Sequence, residues 1–318
     1  MLRRLFPLLT LCLILAGAPL VATAQLTMSN VGGGFGSGGG GGRTCTDDTA
    51  STNFLARTTG LSNADKDRYC NTIKALEGHS LITGTLAGSL GCGSPLDGLY
   101  LFSTNTTTTA NFNICGTSYG LTSNGSPTFT AEQGYTGDAS TAYFDTSFTA
   151  SSAPSPNMVQ SSAFLMAYIL NNRTANNAYV EGGCENSTTG TINTYLIPHW
   201  SDGNSYLAVN STSGVSTATT TAQGAWVYSR TASTTTNEYR NGSTTPVQTD
   251  STNSSIGACP DSMLILANRA FETGAPQAFS GDQLAAFAYG GGLTATQSQN
   301  LMNDINTNFM TPLGINVY

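Results

Sequence analysis

The chain has 318 residues, of which only 9% are charged, and its 11 Lys and Arg stand against 18 Asp and Glu for a formal net charge of -7. Acidic balance with scattered arginines offers no phosphate-binding stripe, which excludes a nucleic-acid partner. Thr, Ser, Asn and Gly supply most of the polar surface, as on the exposed strands of extracellular β-rich proteins.

The first 25 residues read MLRRLFPLLTLCLILAGAPLVATAQ. Arg3 and Arg4 precede an apolar run at 5–15, and Ala22-Thr23-Ala24 supplies small residues. This pattern predicts a secretory signal peptide over 1–24, cleaved between Ala24 and Gln25, and hence a secreted, extracellular or periplasmic protein. The apolar run is shorter than the roughly 18 residues a bilayer needs, and no later run reaches that length, so no membrane span is expected after cleavage. Cleavage removes Arg3, Arg4 and Cys12, which leaves Cys45, Cys70, Cys92, Cys115, Cys184 and Cys259. An even count in an exported chain predicts three disulfides. Fifteen pairings are open to six cysteines; the sequential set Cys45–Cys70, Cys92–Cys115 and Cys184–Cys259 is the expectation taken here. No CxxC spacing favours zinc instead.

Residues 25–44 contain GGGFGSGGGGG at 32–42 and read as a flexible linker. The run lacks the Lys-Ser/Thr of a phosphate-binding loop. Residues 45–92 form a small helical appendage. Its helix, at 61–77, starts at a Ser62 cap with Asp65 in the first turn, places Leu61, Tyr69, Ile73 and Leu76 on one face, and stops at Gly78.

From 93 to 318 the apolar period becomes two. DGLYLFS, TAYFDTS, SAFLMAYILN, NAYVEG, NTYLIP, SYLAVN, AWVYSR, NEYRNG, SMLILAN and DQLAAFAYG are about ten short strand candidates. Asn124-Gly125, Asp202-Gly203, Asn241-Gly242 and the glycines at 290–292 punctuate them. No helix intervenes, so an all-β, two-sheet antiparallel sandwich is expected. A C-terminal helix closes the chain, with a Thr294/Gln297 capping box and an apolar stripe of Leu301, Ile305 and Phe309.

The later strands resemble the concanavalin A-like lectin/glucanase superfamily, in particular its laminin-G-like branch, of the kind found in uncharacterised bacterial and phage-borne proteins. The resemblance runs over residues 224–312. Trp226, Tyr239-Arg240-Asn241-Gly242, Leu264-Ile265-Leu266, Phe279-Ser280-Gly281-Asp282-Gln283-Leu284 and Gly292-Leu293-Thr294 fall in the order of that branch. The earlier LDGLYLFSTNTTTTANFNICG piece resembles the opening of such domains. The resemblance implies a jelly roll but no single activity, because the fold hosts hydrolases, lectins and adhesive modules. Members often hold calcium at a loop rim; this chain has no Asp-x-Asp-x-Asp ladder to support calcium, and no other cofactor is expected.

Residue by residue, catalysis finds little support. Glucanases of this fold carry Glu-x-Asp-x-(x)-Glu on one strand, and that spacing does not occur here. Glu181 and Glu185 on an extended strand would stand roughly 13 Å apart, too far for a retaining pair, and read as loop-edge charges beside a disulfide. Asp138 and Asp145 would need the chain to fold between them. No Gly-x-Ser-x-Gly occurs, and the two histidines are His79, at a helix end, and His199.

The most ligand-like stretch is YLIPHWSDGNSYLAVN. His199, Trp200, Asp202, Asn204 and Tyr206 together would make a rim site, the rings stacking on sugar faces and the polar groups meeting hydroxyls. Alternatively, Trp200 caps the core and Asp202-Gly203 only turns the chain. Trp226, Tyr228 and Arg230 share one strand face, either as an outward aromatic platform or as core. In NEYRNG, Tyr239 is expected inward, with Glu238 and Arg240 as a solvated pair before an Asn241-Gly242 type I′ turn. Asn-x-Ser/Thr sites occur at Asn105, Asn124, Asn172, Asn186, Asn210, Asn241 and Asn253. The expected function is non-catalytic recognition of an extracellular glycan or a cell-surface or virion partner. A structural or adhesive module without a sugar site, and a glycoside hydrolase with displaced carboxylates, are the alternatives.

Overall fold

The computed structural model describes residues 45, 47–175, 177–185, 192–270 and 273–318, all within the compact unit Gly42–Tyr318. The expected signal segment, the Gly-rich linker and the Asn186 sequon lie outside the described residues. In chain order the elements are α1 (Thr49–Leu55), α2 (Asn63–Gly78), β1 (Leu96–Leu101), α3 (Thr107–Ala110), β2 (Thr122–Asn124), β3 (Thr128–Thr130), β4 (Gly134–Thr136), β5 (Tyr143–Asp145), β6 (Ala163–Ile169), β7 (Gly182–Glu185), β8 (Asn193–Ile197), β9 (Asn204–Ser211), β10 (Val215–Ala218), β11 (Gly224–Ala232), β12 (Thr235–Arg240), β13 (Gln248–Asp250), β14 (Leu264–Ile265), β15 (Asn268–Arg269), β16 (Pro276–Gln277), β17 (Gln283–Gly290) and α4 (Ala295–Ile305).

Two antiparallel sheets make a sandwich. The larger runs β13-β12-β11-β6-β17-β4-β3, with β1 also paired to β17; the smaller runs β10-β9-β8-β7-β14-β5-β2. The layering follows from burial on the strands. Every residue of β1 and β6 is buried, and seven successive residues of β11 are. Strands covered on both faces read as near-continuous apolar runs, and AFLMAYI in β6 is one. One face of the larger sheet, with Phe164, Met166, Tyr168, Val227 and Tyr239, shares a core with Phe54, Tyr69, Ile73 and Leu76 of α1 and α2 and with Leu301, Ile305 and Phe309. The other face, with Leu165, Ala167, Trp226, Tyr228 and Phe287, packs against Leu196, Leu207, Val209 and Ile265 of the smaller sheet.

The helix ends follow their caps. Ser62 accepts from the Asp65 N–H, and Thr294 and Gln297 form the reciprocal capping box. Helix α2 runs through Gly78 and ends at a His79 cap instead of stopping before it, and α4 ends at Ile305 before a π turn that carries Phe309. His79 Nδ1 meets Asp304 Oδ2 at 2.8 Å, which ties the two helix ends together. The three disulfides are Cys45–Cys70, Cys92–Cys115 and Cys184–Cys259. Among the described residues no helix is long and apolar enough to cross a membrane.

Several strand expectations need correction. NAYVEG is irregular up to Glu181, and the strand begins at Gly182. SMLILAN contributes Leu264–Ile265 and, after a break, Asn268 at the start of β15. Glu238 is not solvated: it is fully buried, because it lies on the face of β12 that meets the smaller sheet, where Ser205 Oγ donates to its Oε2 at 3.1 Å. Arg240 is half-buried, its guanidinium 4.5 Å from the Trp226 ring centre, and Tyr239 packs toward the helices. Asn241 and Gly242 have φ of 51° and 69°, and Ser243 N–H donates to Arg240 O at 3.1 Å, as a type I′ turn requires. The chain then continues through residues 243–247 before β13 pairs back.

Candidate functional site

The outward face of the smaller sheet is where side chains are left over. In β8, Leu196 points into the core while Tyr195 and Ile197 alternate to the other side. In β9, Leu207 and Val209 point inward and Tyr206, opposite Ile197, points out. Gly183, Glu185 and Tyr195 follow the same parity on β7 and β8, which pair Gly183 with Tyr195. These positions floor a groove of about 310 Å³. Trp200, in the β8–β9 turn, forms one end; Asn268 and Gln277 of the β15–β16 hairpin, with Val180 and Ala278, form the other wall.

Two turn residues hold the aromatic end in place. Asp202 Oδ1 accepts from Asn204 N–H at 3.0 Å, and its Oδ2 accepts from the Tyr206 hydroxyl at 2.6 Å. The Tyr206 bond holds the Asp202 carboxyl below its usual range and raises the phenol in turn. Gly203, at φ 81°, completes the turn. Trp200 N–H donates to Asn204 O at 2.7 Å. Trp200 and Tyr206 therefore line the groove, whereas Asp202 and Asn204 shape the turn that presents them.

The wall opposite is polar. Asn268 Nδ2 donates to Glu185 Oε2 at 3.4 Å, and Asn268 Oδ1 is buried without a hydrogen-bond partner. Burial raises the Glu185 carboxyl above its ordinary range. Tyr195, beside Glu185 and Tyr206, is pushed up to about 12, first by burial and then by those neighbours' charge.

The other candidates are interior. His199 is only 2% exposed, with Nδ1 3.1 Å from Thr219 Oγ1, so it faces away from the ligand surface. Trp226, Tyr228 and Arg230 have no exposed surface, because their strand face lies between the sheets. They are not an outward platform. Trp226 Nε1 donates to Ala222 O and Tyr228 Oη to Ile197 O, each at 2.8 Å. The Arg230 guanidinium donates to Val209 O, Ser233 O and Asn253 O. Each residue ties the larger sheet to the smaller sheet or its loops.

Glu181 is not a loop-edge charge but fully buried, in a network with Arg173 and Asp282. Arg173 Nε donates to both Asp282 oxygens at 2.8 Å, its Nη2 reaches Glu181 Oε1 at 3.5 Å, and Ser280 Oγ donates to Glu181 Oε2 at 2.7 Å. Burial, then the Asp282 charge, lifts the Glu181 carboxyl well above the carboxylate range. Glu181 faces this closed network and Glu185 the open groove, so the two are not presented to one cleft. Among the described residues no group of three His, Cys, Asp or Glu could hold a metal ion.

The residues that sequence reasoning passed over are Tyr195, Asn268 and Gln277, and Glu185, read there as a loop-edge charge, lines the groove. Alternation in NTYLIP places Tyr195 outward beside Ile197, and that signal was available. Nothing local in the sequence brings the short β15–β16 hairpin across to β7.

No protein-family model matches this sequence, and no curated protein matches it. Among solved structures the chain is similar to domain 4 of a GH43 extracellular arabinanase from Geobacillus stearothermophilus in complex with arabinotriose, with TM-score 0.38 and 16% identity over 65% of this chain and 98% of that one. It is also similar to Trypanosoma rangeli sialidase, with TM-score 0.42 and 12% identity over 75% of this chain and 39% of that one. A complex of the same sialidase with 2,3-difluoro-KDN gives TM-score 0.45 and 12% identity over the same shares. The chain thus spans well under half the length of the sialidase.

Proposed function

We propose that this protein is an exported glycan-binding module that takes a short saccharide in the groove on the outward face of its smaller sheet, without catalysing its cleavage. The observation that carries the reading is the convergence of Trp200, Tyr195 and Tyr206 with Glu185, Asn268 and Gln277 around one groove. Rings offer flat apolar faces to the CH side of a sugar, and amides and carboxylates meet its hydroxyls. A volume of about 310 Å³ lies at the small end of ligand pockets, roughly 300–1,000 Å³, which suits a short saccharide segment over a long bound chain.

The wider reading is a concanavalin A-like jelly roll, with a signal peptide over 1–24, a linker over 25–44 and secretion outside the cell. The two-sheet sandwich and the three disulfides support it. The test is a glycan array probed with the purified chain, with and without chelator, alongside Trp200→Ala. Binding that the variant loses supports the groove. Silence across a broad array sinks the glycan reading in favour of a structural or adhesive module, and loss of binding on chelation shows a bound cation to be part of the site.

A further inference from the structure

Two acceptors in the groove, the Glu185 carboxylate and Asn268 Oδ1, lack a close donor among the described residues. Glu185 places a half-buried carboxylate there, and its hydrogen bond with a described residue, from Asn268 Nδ2, is long at 3.4 Å. Asn268, only 5% exposed, turns one amide N–H to that contact, and its Oδ1 has no partner among the described residues. The Tyr206 hydroxyl gives its proton to Asp202 and so offers the groove only lone pairs.

Among the described residues no cation answers these acceptors. The groove contains no Lys or Arg. Its nearest arginine along the chain, Arg269, is turned to Asp145 Oδ2 at 3.0 Å and to the carbonyls of Ser262 and Gly274. Arg173 is taken up by Asp282, Glu181 and two backbone carbonyls. A half-buried carboxylate with no counter-ion among the described residues, beside an orphaned amide oxygen and within a ring-lined groove, leaves a place for a positive, donor-rich group. Trp200 and Tyr195 would favour the same group through their ring faces.

We propose that the groove selects a saccharide bearing a free amino group, of the glucosamine type, whose ammonium pairs with Glu185 and donates to Asn268 Oδ1 while the sugar face lies on the rings. The proposal rests on the glycan-binding reading above and specifies its ligand class. It also predicts rejection of uronic, sialic and sulfated sugars, whose anions would meet Glu185 with no compensating cation. The raised Glu185 carboxyl agrees with this arrangement, since an ammonium would bring it back toward ordinary ionisation.

The experiment is calorimetric titration of the whole chain at about pH 6, where ammonium and ordinary carboxylate are both charged. Four tetrasaccharides are compared: glucosamine, N-acetylglucosamine, glucose and galacturonic acid. The expected result is glucosamine binding about ten-fold or more tighter than glucose, a difference that Glu185→Gln removes. Equal or weaker binding of the amine relative to its acetylated or neutral counterpart, or tight binding of the uronate, overturns the proposal and leaves the glycan groove standing. Failure of all four to bind a folded chain overturns the proposal, and the glycan reading is then decided by the array. The ligand comparison on the unaltered chain decides the matter even if the variant does not fold.

Discussion

The hydroxyl of Tyr206 donates to Asp202 across a four-residue step, 2.6 Å long, and so locks a groove-lining ring to the turn that carries Trp200. Tyr206→Phe keeps the ring and removes the latch. Asp202 still accepts from Asn204 N–H, so the turn should survive. We expect saccharide affinity to fall several-fold, because the ring is no longer held to the turn. The Asp202 carboxyl should rise toward its ordinary range, which carboxyl-carbon NMR titration reads directly. An unchanged Asp202 titration would show that the latch does not form in solution.

The two tryptophans should respond in opposite ways. Trp200→Ala, at a half-exposed turn, should cost saccharide binding about ten-fold or more and leave thermal stability nearly unchanged. Trp226→Ala empties a fully buried site and loses the bond to Ala222 O. It should cost roughly 3–5 kcal/mol of stability, measured by denaturant unfolding. Strong binding loss at Trp226 in a chain of normal stability would mean that the aromatic platform lies on the larger sheet after all.

Glu238 should make stability fall with rising pH. Burial, only partly offset by bonds from Gln248 and Ser205 and the Arg240 charge, pushes its carboxyl from 4.5 to about 7. Between those values the folded chain holds a proton that the unfolded chain has released, so stability is full below about 4.5 and drops until about 7. The drop is on the order of 3 kcal/mol for such a shift. Glu238→Gln should flatten that part of the stability curve; an unaltered slope in the variant would remove Glu238 as its source.

Arg173 sits between two buried carboxylates, and Arg173→Met would strand both. Breaking a buried pair in this way costs roughly 3–5 kcal/mol. We expect the loss in urea unfolding, with the groove still binding in the folded fraction. Loss of binding without loss of stability would instead place Arg173 in ligand contact.

What was legible in the sequence depended on how local its cause was. The caps at Ser62 and Thr294 are set within one turn of chain, and both were readable. The buried strands β6, β11 and β17 announce themselves by length and apolar content. The edge pieces β2, β3, β10 and β13 read TSN, TFT, VSTA and QTD, and nothing in those few polar residues separates a strand from a loop. Alternation placed Glu238 and Arg240 opposite Tyr239 correctly but assumed that one face of the strand meets water. With helices on one side and a second sheet on the other, neither face does. Half of the groove was visible in Trp200 and Tyr206; the Asn268 wall was not, because its contact with Glu185 spans 83 residues.

Helices cover one face of the larger sheet's central strands and the smaller sheet covers the other, so among the described residues one sheet face stays open. If that face binds the proposed saccharide, each chain binds through a single surface. On a many-sugared target, durable attachment would then come from the number of chains held side by side and the spacing between them, with effective concentration doing what a second binding face cannot.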